Sequence, residues 1–287
     1  MDVNCEGCAG CCVDWRPLVD APGHDHERRG PRQPLDDTYN LVPLTRADVR
    51  AFVDAGLADA LTPRVWRAEA DDDSVEIDGY DLAAIGDRPV FFVGIRKPPK
   101  PVAPFDADAH WLPACAFLDP DTLQCRIHGS ERYPAECADY PGHNLVLDVE
   151  TECERVEAAW GGERLRDDTP PDDLPGFLLG PAAVGEKVFA YPDPDDLDGV
   201  VGRIAAGDPT KRDRARFVAA ACGHAPGTLA TNDAKREQAF ETAMAADSWV
   251  GRAIDEWTER ADTDTPDPGL GERVEDARGA PSTPGWS

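Results

Sequence analysis

Positive charge is scarce in this sequence, and lysine most of all: 29 basic residues stand against 56 acidic ones, and only Lys97, Lys100, Lys187, Lys211 and Lys235 are lysines. The net charge of −27 repels phosphate, and with no local basic patch neither nucleic acid nor an anionic lipid surface is an expected partner. Long apolar runs are missing too. No window approaches the roughly 20 apolar residues that span a bilayer. The start, Met1-Asp2-Val3-Asn4, has no basic and apolar leader, so no membrane association and a cytoplasmic location are expected. Also absent are a Gly-rich phosphate loop after a strand and a Ser nucleophile motif, the usual marks of nucleotide-dependent and acyl-transfer enzymes.

The acidity itself is spread along the chain, as in Asp71-Asp72-Asp73 and Asp193-Pro194-Asp195-Asp196. Such charge keeps a protein soluble but destabilises its compact state by self-repulsion, which salt screens, so a halophilic protein is expected and the Asp runs are read as hydrated faces. Hydrophobic residues make up 41% of the 287, enough for at least one core.

Cysteine is what the sequence has in concentrated form. Cys5-Glu6-Gly7-Cys8-Ala9-Gly10-Cys11-Cys12 holds four of the nine cysteines. Thiols three residues apart in a short Gly-bearing loop can converge on one soft ion or cluster. A second set, Cys115, Cys125, Cys137 and Cys153, follows about a hundred residues later in Pro-containing, turn-rich contexts. In a reducing compartment thiols are more often ligands than disulfides, so the two sets imply a folded-over metal site. The adjacent pair Cys11-Cys12 favours two centres over one, because neighbouring side chains diverge. The first three cysteines match the bacterial ferredoxin run but the fourth position does not, so the chain is not a ferredoxin by spacing. Cys222, in Phe217-Val-Ala-Ala-Ala-Cys222, reads as an ordinary buried cysteine. His24 and His26 flank Asp25 in a polar loop and read as solvated.

The remaining chain reads as α+β: an irregular cysteine-rich metal-binding domain with short antiparallel strands over 1–160, a mainly helical region over 161–261, and a disordered acidic tail over 262–287. Thr45 with Asp48 predicts a capped helix over the Val49, Phe52, Val53 stripe, ending at Gly56. Ser74-Val-Glu-Ile and Pro89-Val-Phe-Phe-Val-Gly-Ile read as strands. The Pro-rich segment from Lys97 reads as a linker or extended arm, Asp119-Pro120-Asp121 as a turn that folds Cys115 back toward Cys125, and Asn144 to Val149 as a strand. Periodicity predicts helices near 196–206, 209–222, 232–245 and 247–261.

With both cysteine groups in view, the sequence resembles the CxxCxxCC family of YkgJ-like cysteine-cluster proteins, a zinc- or iron-chelating domain, over about residues 1 to 153. The matching positions are Cys5, Cys8, Cys11 and Cys12; Cys115 before Phe117-Leu118; Cys125 before Ile127; and Cys137 before Tyr140-Pro141. Three positions depart: His128 stands where the family commonly has Tyr, the Arg-Pro pair is loosened to Arg132-Tyr133-Pro134, and Ala138 replaces an Arg. His128 is thereby an additional ligand candidate, though a structural histidine is the simpler reading. Cys153 extends the set to an eighth ligand. The resemblance implies a protein holding zinc or iron, with the crowding of thiolates leaning toward an iron–sulfur cluster and zinc as a near-equal alternative. It also includes a flagellin lysine N-methylase with the same cysteine pattern, so a protein-modifying enzyme is the alternative function. A metal ion or cluster, and a protein, are the partners to expect.

Overall fold

The computed structural model describes residues 1–19, 33–70, 72–172, 174 and 183–284; His24 and His26 lie outside the described residues. In chain order the elements are β1 (Asp2–Val3), α1 (Arg46–Asp54), β2 (Leu61–Val65), β3 (Ser74–Ile77), β4 (Tyr80–Ile85), β5 (Arg88–Ile95), β6 (Pro99–Val102) and β7 (His110–Pro113). Then follow α2 (Ala135–Asp139), α3 (Gly142–Val146), α4 (Glu152–Trp160), β8 (Leu165–Asp167), β9 (Phe189–Ala190), α5 (Val200–Ala205), α6 (Lys211–Gly223), α7 (Asp233–Ala245), α8 (Trp249–Ala261) and α9 (Gly271–Val274). Helices and antiparallel sheets both contribute, as an α+β reading expects.

The central sheet has the order β2-β5-β4-β3, antiparallel throughout, with β9 also paired to β5. Its spine is β5, buried at every residue from Pro89 to Ile95. A strand apolar on both faces must be covered on both. Helix α6 supplies much of that cover: Phe217 meets Phe91 edge-on at 4.8 Å between ring centroids. Helix α1 starts at the Thr45–Asp48 capping box and points Val49, Phe52 and Val53 into the same cluster. Phe52 lies 5.4 Å from Phe117, which ties this core to the second cysteine segment. The cluster draws on residues from Leu35 to Ile127 and from Phe189 to Ile254, so the boundary expected at residue 160 separates no two cores.

Three local expectations need correction. The Pro-rich segment after Lys97 is a strand, β6, paired with β7 in the register Lys100 with Leu112 and Val102 with His110. Pro99 and Pro101 are two apart, so their missing N–H groups fall on one side and leave the other free to pair. Residues 144–149 contain no strand. Helix α3 covers their first half, and the Val149 N–H returns to the Asn144 carbonyl at 2.9 Å. The Thr151–Glu154 capping box then opens α4, leaving too few residues for an extended excursion. Accordingly Cys137 sits on α2 and Cys153 in the first turn of α4, in helices rather than turns.

The tail is folded over its described part. Leu270 and Val274 bury against Ala253 and Trp257 of α8, and Glu275 is fully buried. Its carboxylate accepts from Trp257 Nε1 (2.9 Å) and Arg126 Nε (2.8 Å) and pairs with Lys100 Nζ (2.6 Å). Low apolar content suggested disorder, but this segment is anchored by a buried charge network that composition does not register. Among the described residues no helix is long and apolar enough to cross a membrane.

Candidate metal centre

The first cysteine group forms a compact loop. The Cys8 N–H donates to the Cys5 carbonyl (3.1 Å) and the Cys12 N–H to the Ala9 carbonyl (2.8 Å). Gly10 faces α4 so closely that a Cβ there would lie 2.7 Å from Val156 Cγ2; only glycine lets the loop lie flat on the helix that carries Cys153. Helix α4 is itself fixed from below by Glu152, which accepts from Trp15 Nε1 (2.6 Å) and Tyr39 Oη (2.8 Å).

Beyond the loop the chain runs antiparallel to the end of β7. Val13 bridges Ala114, the Asp14 N–H donates to the Pro113 carbonyl (2.8 Å), and the Cys115 N–H donates to the Cys12 carbonyl (2.8 Å). From Cys115 the chain turns at Asp119, whose Oδ1 accepts from the Asp121 N–H (3.0 Å), and Cys125 returns to bridge Leu118. The expected turn thus brings Cys125 back beside Cys115, and α2 adds Cys137, whose carbonyl accepts from Tyr133 Oη at 3.2 Å.

The electrostatic neighbours of the thiols divide them into two groups. Cys12 interacts with Cys115, Cys125 and Cys137, and Cys137 interacts in turn with Cys115 and Cys125. Cys153 interacts with Cys5 and Cys8, and Cys11 with Cys12 first and then with Cys153 and Cys5. Apart from the Cys11–Cys12 contact, the neighbours sort into one quartet of Cys5, Cys8, Cys11 and Cys153 and another of Cys12, Cys115, Cys125 and Cys137. They meet at the Cys11–Cys12 peptide bond. Among the described residues no group of three or more His, Cys, Asp or Glu side chains is drawn in far enough to hold a metal ion; what the fold sets is which thiols are neighbours.

The donor set fits a soft cation or cluster. Burial, then Cys8, pushes the Cys5 thiol up to about 11. Burial, then Cys115, pushes Cys125 up to about 12, and burial, then Cys5 and Cys8, pushes Cys153 up to about 12. Crowded thiolates repel one another and lose hydration, and a bound cation relieves both effects. Positive groups stand ready beside each quartet. Arg164 faces Cys5 and Cys8, and its Nε is buried with no hydrogen-bond partner. A buried donor left unpaired is costly, and negative charge on Cys5 or Cys8 would lie within its electrostatic reach. Lys97 faces Cys12 and Cys115 and donates from Nζ to the Cys11 carbonyl at 3.3 Å.

The other sequence candidates fall outside these groups. His128 stacks edge-on against Tyr133 at 4.8 Å between centroids, the contact of a structural histidine. Cys222 is buried in α6, and its carbonyl accepts from both Arg50 Nε (3.1 Å) and Nη2 (2.5 Å). Sequence reasoning missed Arg164 and Lys97 as companions of the thiols. Lysine scarcity was an available signal for Lys97; Arg164 lies beyond the cysteine region and carried none.

A family model described as a family of unknown function (DUF7531) matches residues 1–287. No curated protein and no solved structure matches the chain.

Proposed function

We propose, for a chain that belongs to this family of unknown function, that it is a cytoplasmic metal-binding protein with two four-cysteine centres for zinc or iron, the iron held singly or as iron–sulfur clusters. One observation carries the reading: beyond their contact with each other, adjacent Cys11 and Cys12 have different thiol neighbours, Cys153 and Cys5 for the first and Cys115, Cys125 and Cys137 for the second. Four thiolates close the coordination shell of zinc, which makes such a site structural, and the same number holds one iron–sulfur cluster, which makes it redox-active. The protein's own residues supply the thiols and place Arg164 and Lys97 against the resulting negative charge. Second-shell groups of this kind orient ligands and tune the centre.

The test is elemental analysis of anaerobically purified protein, counting iron, acid-labile sulfide and zinc per chain, with the visible spectrum recorded alongside. Two zinc ions or two clusters per chain are expected. Metal-free protein that takes up neither metal on reconstitution would overturn the reading.

A further inference from the structure

On another part of the molecule, α6 and α8 enclose a cavity of about 230 Å³ against the end of β5, lined in part by Arg96, Lys211, Arg214 and Asp255. We infer that this cavity binds a small phosphate-class oxyanion between Arg96 and Arg214. Cationic lining is unexpected in a chain of net charge −27, and the pairing of the lining charges decides the matter. Asp59 is engaged by Ser248, accepting from its N–H (2.9 Å) and its Oγ (2.6 Å). Gly251 permits that approach, since a Cβ there would lie 2.1 Å from Asp59 Oδ2. Asp247 pairs with Arg252 at 3.0 Å. Among the described residues, neither Arg96 nor Arg214 forms an ion pair. Each gives one hydrogen bond to a backbone carbonyl, Arg96 Nη1 to Asp59 at 3.0 Å and Arg214 Nη1 to Pro209.

A guanidinium has five N–H donors in a planar fork suited to oxyanions, so most of the donors of both residues remain to be used. The two cations also oppose each other: burial and then Arg214 hold Arg96 down to about 10, and burial holds Arg214 below its ordinary value as well. An anion between them turns that repulsion into two charge-assisted contacts. Lys211 lines the same space with Nζ bonded to the Ala246 carbonyl (2.6 Å), and exposed Asp255 is the carboxylate that acts most strongly on the two arginines, the group an incoming anion must tolerate. This inference is independent of the cysteine centres.

Calorimetric titration of the full chain with inorganic phosphate, at fixed ionic strength in potassium chloride, tests it. Saturable binding is expected, weakened at least tenfold by Arg214→Met or Arg96→Met and tightened several-fold by Asp255→Asn. If Arg96→Met fails to fold, Arg214→Met and the surface change Asp255→Asn decide between them. Absence of saturable phosphate binding to the unaltered chain, or unchanged affinity in both of those variants, overturns the inference.

Discussion

Cys11 and Cys12 make the sharpest distinction between neighbours in this molecule. On the proposed two-centre reading, in which Cys11 goes with Cys5 and Cys153 and Cys12 with Cys115 and Cys125, replacing either with Ser should remove one centre and leave the other. Metal content per chain in Cys11→Ser and in Cys12→Ser is expected near half that of the parent, and Cys222→Ser should keep all of it; full metal in Cys12→Ser would contradict the two-quartet arrangement. The thiols also predict how the metal-free protein responds to alkali. Folding raises them from 9.0 to about 11 at Cys5 and to about 12 at Cys125, Cys153 and Cys222. A group whose folded value is raised contributes stability that is complete below its unfolded value and disappears as pH climbs through the folded one. The urea midpoint of metal-free protein should therefore fall steadily above about pH 9, while the loaded protein, its ligand thiols already deprotonated, should follow it only by the smaller share that Cys222 contributes. A midpoint that stays level between about pH 9 and 11 would count against burial of these thiols.

At the scale of elements, the signals that could be read from sequence are those that act locally. Thr45–Asp48 names the start of α1, and the Asp119 turn names the return of Cys125 to Cys115. The apolar run of β5 names a strand covered on both faces. What escaped reading depends on distant partners. β6 exists because β7 lies beside it, and the segment around Glu275 is ordered by Lys100 and Arg126, which stand about 150 residues or more away along the chain. The neighbourhood of the thiols was half legible: spacing singles out the eight cysteines, but which thiol lies near which required the loop, β7 and α4 to be set against one another. The Glu275 network carries its own prediction. Removing one member of a buried, hydrogen-bonded charge set strands the others and typically costs about 3–5 kcal/mol. Glu275→Ala should lower the unfolding free energy by that order in denaturant titration and expose the segment from residue 262 onward to limited proteolysis. A loss under about 1 kcal/mol would show that Lys100 and Arg126 find other partners.

For the molecule as a whole, the charge of −27 implies that stability is a function of salt. The screening length shortens from about 10 Å at 0.1 M to about 3 Å at 1 M, so thermal midpoints should climb across that range, and a flat response would remove the halophilic reading of the composition. A different consequence follows from how the quartets are strung along the chain, and it concerns time. Cys5, Cys8 and Cys11 share one short loop, whereas Cys12 meets Cys115 only after the intervening hundred or so residues have been organised, and Cys153 arrives on a helix still further on. Closing a ten-residue loop takes about 10–100 ns, while long-range pairings wait for the rest of the topology. A refolding chain given metal at the outset thus presents three thiols long before the fourth, and a soft ion captured then is free to recruit whichever cysteine passes first. Recovery of correctly loaded protein should be higher when metal is added after the metal-free chain has refolded than when it is present from the first moment, and equal recoveries would mean that the early trio releases its ion faster than the sheet assembles.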